Sequence, residues 1–364
     1  MEYKCNTKEQ GGRKMEQKLR FGTAYHGNRM LHHARQDFLD IATSGMDLVV
    51  HMFTHNDWDR HKEVMKEMVA MSADAGLESW IDNWGLGGPP GEKSHFLAYY
   101  PDSHMYLSNG DMDPVHACVN SPDFRKFTRE WIDTVYYIGG RTIFWDEPHM
   151  PQKKVGDKTY YGCTCPRCRK LFEEKYGRPM PEFSDAEAEA FGTDSIVDYF
   201  REMTEYSASK GMKNVVCVML GTYGMSLEVV DKIMTLPYMD NVGSDPYWLG
   251  RKKNNPDLNV YEFVYEGTRE NLRVASQYKK DHNIWIQTYS TPRGEEEDII
   301  QAYEAAYDAG ARTILNWGFY GSDANDYGAK NPAVTWAKTK QAIERVRNME
   351  RDKILALNRK LYMK

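Results

Sequence analysis

No run in this sequence approaches the ~18 consecutive apolar residues that a membrane-crossing helix needs. The opening, MEYKCNTKEQGGRKMEQK, is polar and charged and lacks the apolar core of a secretory signal. Basic charge is not in excess either: 47 Lys and Arg stand against 53 Asp and Glu, for a net charge of −6. That balance implies no nucleic-acid partner, because such binders usually carry a basic face. Cysteine is scarce, with 6 in 364 residues, and in a reducing compartment this argues against a disulfide framework. Internal repeats, low-complexity blocks and Pro/Ser-rich linkers are also missing. The expectation is a soluble cytoplasmic protein without a membrane partner, with a disordered leader over 1–17 and one domain over 18–364. Its composition is compatible with a homo-oligomer.

Aromatic residues are plentiful by contrast, at 13%, including 9 Trp and 24 Tyr. So many rings can fill a large core, and they can also face a ligand. Strand-like apolar runs recur along the chain: LRFGTAYH (19–26), DLVVHMFTH (47–55), LESWIDNWG (77–85) and RTIFWDEP (141–148), then NVVCVMLG (214–221), DNVGSDPYW (240–248), NIWIQTYS (283–290) and RTILNWGFY (312–320). Between them lie helical patterns, such as 61–76, 295–310 and the C-terminal stretch, with apolar residues at three- and four-residue spacing. Strands alternating with helices indicate parallel β/α units, and eight units close a (β/α)8 TIM barrel of the α/β class. An open doubly wound sheet would usually carry a glycine-rich phosphate loop after its first strand. Here that place reads TAYHGNRMLHH, so the barrel is preferred.

A barrel concentrates its chemistry at the C-terminal ends of its strands. Those ends carry Tyr25 and His26, His51 and His55, Asp82 with Asn83 and Trp84, and Asp146 with Glu147. The later strands end in Asp245 with Tyr247 and Trp248, Gln287 and Tyr289, and Asn316 with Trp317 and Tyr320. Carboxylates and amides bond hydroxyl groups, and flat rings pack on C–H faces, so the set suits a polyhydroxylated ligand. Blander roles exist for each residue. Asp146 can simply orient its neighbour, and Asp245 before Pro246 can cap a turn. His51 and His55 share a side only across a bulge. Glu295, Glu296 and Glu297 fit a helix N-terminus favoured by the dipole. The segment GLGGPPGEK (85–93) reads as a mobile loop over the mouth.

Three thiols, Cys163, Cys165 and Cys168, form C-x-C-x-x-C after the fourth strand. Tetrahedral zinc wants four ligands, and Cys118, after the third strand, is the natural fourth because neighbouring strands have neighbouring loops. A closed site of four thiolates is structural, since it leaves no position for substrate. It would pin the long loop after strand four beside the carboxylates at its root. The alternative is unrelated free thiols. Cys217, within a strand, reads as a small buried hydrophobe, and no organic cofactor is implied.

CVNSPDFR, an acidic pair ending the fourth strand, and CTCPRCRKLFEEKYG together resemble the catalytic barrel of glycoside hydrolase family 42, the β-galactosidase-type enzymes of clan A. The match is specific between about 115 and 180 and architectural elsewhere, so this chain resembles a divergent, barrel-only relative. The resemblance implies that Glu147 is the general acid/base, that Cys118, Cys163, Cys165 and Cys168 bind zinc, and that Trp317 lines a sugar pocket. Asp146 stands where the family has Asn, and Pro114 where it has a substrate-binding Arg. Strand seven, IWIQTYSTP, offers Gln287 where the clan has its nucleophilic Glu, and an amide cannot form a glycosyl-enzyme ester.

Glycoside hydrolysis usually needs two carboxyl groups. Glu147 is the expected acid, with Asp245 or Asp82 as the second. Asp146, Tyr25, His26, Trp84, Tyr247, Trp248, Gln287, Tyr289 and Trp317 are the expected substrate contacts. A carbohydrate binder that has lost its nucleophile is the alternative function. A metal-dependent isomerase ranks third, for want of a converging ligand set.

Overall fold

The computed structural model describes residues 18–84, 86, 94–218 and 227–362. The expected leader over 1–17, most of the segment 85–93 and the end of the fifth apolar run lie outside these residues. Eight parallel strands close into a barrel: β1 (Arg20–Tyr25), β2 (Leu48–Met52), β3 (Glu78–Asp82), β4 (Thr142–Trp145), β5 (Lys213–Val218), β6 (Asn241–Ser244), β7 (Asp281–Gln287) and β8 (Thr313–Trp317). Neighbours in sequence are neighbours in the sheet. The ring shuts where Arg20 to Thr23 of β1 pair with Thr313 to Asn316 of β8. Every one of these strands falls inside an apolar run of the sequence or within two residues of it.

A helix follows each strand: α1 (Leu31–Thr43), α2 (Lys62–Asp74), α3 (Pro122–Tyr137), α4 (Ala186–Ser209), α5 (Leu227–Met234), α6 (Val260–Tyr278), α7 (Glu297–Ala309) and α8 (Pro332–Tyr362). Their starts follow local chemistry. Ser121 caps α3 by accepting from the Phe124 amide, with Pro122 next in line, and Asp185 caps α4 through the Ala188 amide. Among the described residues no helix is long and apolar enough to cross a membrane.

Both faces of the strands are buried, which is why they read as nearly continuous apolar runs. Alternation divides them into two layers. Leu48, Val50, Met52, Trp80, Phe144, Val215, Cys217, Trp285 and Leu315 fill the barrel interior, while Phe21, Val49, Ile81, Ile143 and Ile284 pack outward against the helices. Bulky rings dominate the interior: Phe144 lies 5.0 Å from Trp285 and 6.4 Å from Trp80. Gly22 makes room for one of its neighbours, since a Cβ there would sit 2.6 Å from Leu48 Cγ.

Two excursions were not foreseen. Between β3 and α3 the chain forms an antiparallel hairpin, His104–Tyr106 with Met112–Ala117. Between β4 and α4 it forms another, Gln152–Val155 with Lys158–Tyr161, followed by the helix Pro166–Tyr176. The excursions are tied together: the Ser108 amide donates to the Tyr161 carbonyl at 2.9 Å and the Thr164 amide to the Tyr106 carbonyl at 2.8 Å. Their strands are short and mostly solvent-facing, so no apolar alternation marks them in the sequence.

Candidate active site

The inward register of β3, β4 and β6 carries past the strand ends and turns Asp82, Asp146 and Asp245 toward the barrel mouth. Glu147 breaks that alternation, because its backbone takes the left-handed conformation, φ +35°. Such a conformation in a residue with a Cβ costs on the order of 1–3 kcal/mol, so the surroundings must hold it. They do so from both sides. The Asp146 amide donates to Asn83 Oδ1 at 3.0 Å, and His149 Nδ1 lies 2.7 Å from the Glu147 carbonyl, which as an acceptor requires a proton on that nitrogen.

Glu147 is half-buried and opens on a cleft of about 1450 Å³, shared with His149, Asp245, Tyr247, Gln287 and Tyr289. Asp245 makes a side-chain hydrogen bond with Glu147. Burial first, and then the Glu147 charge, hold the Asp245 carboxyl well above the usual carboxylate range. A carboxyl group buried beside an acidic neighbour keeps its proton more readily, and Asp245 is the one so held. Asp82, fully buried beneath, is likewise raised by burial and by Glu147, with the Trp84 amide at 2.8 Å from its Oδ1 pulling the other way. Burial also pushes up the Cys217 thiol inside the barrel, helped by Asp245, Asp146, Glu147 and Asp82, so all four carboxyl groups surround the top of the interior. His149 is lowered mainly by burial. Its ring is therefore neutral near pH 7, and Nε2, the nitrogen without the proton, is an acceptor.

The aromatic expectations divide. Trp317 and Trp84 pack on His26, with centroids 4.9 and 5.3 Å away, and Tyr247 meets Tyr289 edge-on at 5.3 Å. Trp248 and Tyr25 are elsewhere, and register is the reason. Tyr247 takes the inward position, so Trp248 falls into the outer layer with 1% exposure. Ala24 and His26 likewise leave Tyr25 facing α1, where its hydroxyl donates to Asp37 at 2.6 Å. His51 also faces outward, 3.0 Å from Ser72 Oγ, whereas His55 opens a short helix after β2. Gln287 lies at the cleft but is occupied, its Oε1 accepting from the Leu249 amide at 3.0 Å. In the acidic run, Glu295 is paired with Lys252, Glu296 accepts from the Gly294 amide, and Glu297 starts α7. His149, at the cleft beside Glu147, is the residue missed from the sequence. Its only signal was proximity to Glu147 in DEPHM.

The four thiols meet. Cys118, Cys163, Cys165 and Cys168 are buried and their sulfurs lie within 4.8 Å of one another, with Cys118 3.4 Å from Cys168 and 3.8 Å from Cys165. Zn–S bonds of ~2.3 Å in a tetrahedron would set sulfurs roughly 3.8 Å apart. Asn120 Nδ2 donates to Cys168 Sγ at 3.4 Å, a second contact of the kind that orients a ligand. Hydrogen bonds from its three neighbours favour the thiolate at Cys165, while the same crowding holds the Cys118 thiol up. The cluster fits a tetrahedral thiophilic cation, with no ligand position left for a substrate.

Several solved structures share the barrel. The catalytic domain of a β-amylase from Paenibacillus polymyxa aligns over 90% of this chain and 98% of its own, with a TM-score of 0.63 at 8% identity. An endo-1,4-β-mannanase from Rhizomucor miehei aligns over 90% and 95%, with a TM-score of 0.55 at 12% identity. A GH5_18 protein from Streptomyces cattleya, in complex with GlcNAc, aligns over 91% and 81%, with a TM-score of 0.55 at 14% identity. No protein-family model and no curated protein matches the sequence. Identities this low establish the fold. The expected likeness to family 42 is not shown by these comparisons.

Proposed function

We propose that this barrel is a glycoside hydrolase in which Glu147 protonates the leaving oxygen. The observation that carries the reading is the hydrogen-bonded Glu147–Asp245 pair opening on a ring-lined cleft. Asp245 lies beside Glu147 and is the member of the pair held protonated. Asp245 is therefore read as the group that holds the pair's proton and recovers it, not as a nucleophile. As the glycosidic C–O bond breaks, Glu147 gives the pair's proton to the leaving oxygen. Water from the cleft bonds to the anomeric carbon, and the proton it sheds returns to the doubly charged pair.

Asp82 acts from below, its charge state biasing the pair. Gln287 braces the Leu249 turn and takes no covalent part. His149, with Nε2 as acceptor, suits a sugar hydroxyl, and Trp84, Trp317, Tyr247 and Tyr289 supply ring surface. The four cysteines would hold zinc as a structural ion, and a reducing compartment such as the cytoplasm would keep them free to do so.

Aryl glycosides and oligosaccharides tested on the wild type and on Glu147→Gln decide the matter. The expected result is turnover that falls about 10²–10⁴-fold in the variant, the usual weight of a general acid. If nothing is hydrolysed while calorimetry shows one saccharide binding both proteins equally, the chain is a carbohydrate binder instead.

A further inference from the structure

A second cavity opens between α1 and the loop after β8, away from the Glu147 cleft. It measures about 670 Å³, and Asn28, Asp37, Asp40, Tyr320 and Ser322 are among its walls. Tyr320 rests one face on Trp336, stacked at 5.5 Å. Ser322 Oγ and both ring nitrogens of His26, which also lines this cavity, find no hydrogen-bond partner among the described residues. Ser322 is only 2% exposed. These atoms are closed off from the cavity, and the polar walls open to a ligand are those of Asn28, Asp37 and Asp40.

The two cavities are joined by rings. His26 meets Tyr327 edge-on at 6.4 Å, Tyr327 meets Tyr289 at 5.7 Å, and Tyr289 meets Tyr247 at 5.3 Å. Tyr247 and Tyr289 line the large cleft beside Glu147 and Asp245, and His26 lines the smaller cavity. Each of these four residues is half-buried. Trp84 and Trp317 flank the row where they touch His26. Beyond the carboxyl pair the large cleft runs on along α6, past Asn259, Glu262 and Glu266.

We infer that the two cavities are the ends of one binding track for a linear oligosaccharide, crossing the barrel mouth over these rings with the Glu147–Asp245 pair between its ends. The inference rests on the glycosidase reading and deepens it: the substrate is an extended neutral chain, engaged on both sides of the bond that breaks, and cleavage falls within the chain rather than at its tip. Repeated ring faces suit the repeated C–H faces of such a chain. The single Arg251 among several carboxylates in the cleft walls gives no grip on a polyanionic one.

The test is a length series. Manno-, cello- and galacto-oligosaccharides from monosaccharide to hexasaccharide are titrated by calorimetry into the Glu147→Gln protein, which leaves the probes intact. For at least one series the dissociation constant falls with each added unit well beyond the disaccharide. Adding Tyr327→Ala weakens the hexasaccharide about tenfold, the usual worth of one buried ring face, and weakens the disaccharide less. Tyr327→Phe, which keeps the ring, restores the length dependence. Affinity that stops rising at the disaccharide overturns the track and leaves the glycosidase reading standing, and so does an equal loss at every length. If none of the probes binds, the glycosidase reading fails and the track fails with it. The length series needs no Tyr327 variant, so misfolding of Tyr327→Ala does not shelter the idea.

Discussion

Replacing Asp82 by Asn should make the protein more stable at neutral pH while leaving it no more stable in acid. Asp82 is fully buried, one of its oxygens accepts from the Trp84 amide, and the other has no partner among the described residues. Burial and the nearby Glu147 raise its carboxyl well above the ordinary range. An unfolded Asp loses its proton near pH ~4. Above that pH the unfolded chain gains the ionised form and the folded chain does not, so rising pH favours unfolding. The slope for one such group is about 1.4 kcal/mol per pH unit, and it persists until the pH passes the folded value. Asn has no proton to lose and can still accept from Trp84 through its side-chain oxygen. Urea unfolding followed by tryptophan fluorescence, at several pH values between 4 and 8, should show the two proteins close at the acid end. The variant should then gain on the wild type at that slope as the pH rises. A stability difference that is flat with pH, or that favours the wild type increasingly above pH 5, would mean that Asp82 is ionised in the native state. The crowded-carboxyl account of the mouth would then be wrong.

Three further outcomes follow from the geometry. Cys118→Ser should lower the metal content found by elemental analysis from about one zinc per chain to near zero, with a stability loss of several kcal/mol because metal binding here is folding energy; wild-type protein that purifies without metal would refute the site. His149→Ala should lower turnover about 10–100-fold, a typical range for second-tier positioning contacts, and relax the Glu147 backbone in a crystal structure. His149→Asn, which offers an amide donor to the same carbonyl, should recover part of that loss. Gln287→Glu should leave turnover no higher than wild type, because that side chain is bound to the Leu249 amide and is not aimed at a reacting carbon; a gain in rate would show that position seven still serves as a nucleophile site.

The barrel was legible because strands buried on both faces write themselves as apolar runs, and because the polar residues ending those runs mark their C-terminal tips. The thiol cluster was legible for a similar reason: metal-ligand spacing is local, and the fourth member sits in the adjacent connection. Side-chain direction at the strand ends was not. Tyr25 and Trp248 are rings in the right places, yet each lies one residue out of the inward register, and a single step turns a side chain to the other face. Asp245 was expected as a second carboxyl alongside Asp82, but nothing in the sequence chose between them, because contact between the β4 and β6 tips leaves no spacing to read. The histidine at Glu147 escaped notice. It acts through an irregular turn, where no periodicity announces which way a side chain points.

That irregular turn also explains why thiols and carboxylates share one connection. Cys118 closes the first hairpin just after His116, whose Nδ1 lies 3.0 Å from Asp113 Oδ1. Cys163, Cys165 and Cys168 follow the second hairpin, which begins just after His149. Drawing the four sulfurs together draws the two excursions together and sets the His116 ring 5.8 Å from the His149 ring. His149, so confined, holds the Glu147 carbonyl. One hydrogen bond is worth about 1 kcal/mol, while the left-handed backbone at Glu147 costs on the order of 1–3, so the bond alone does not hold the conformation. The bond from the Asp146 amide to Asn83 Oδ1 adds to it, and the loop that carries His149 supplies the rest where the cysteine cluster ties the two excursions together. On this reasoning, loosening the cluster should disorder the Glu147 backbone before it unfolds the barrel, since the strands close on themselves without any contribution from either hairpin.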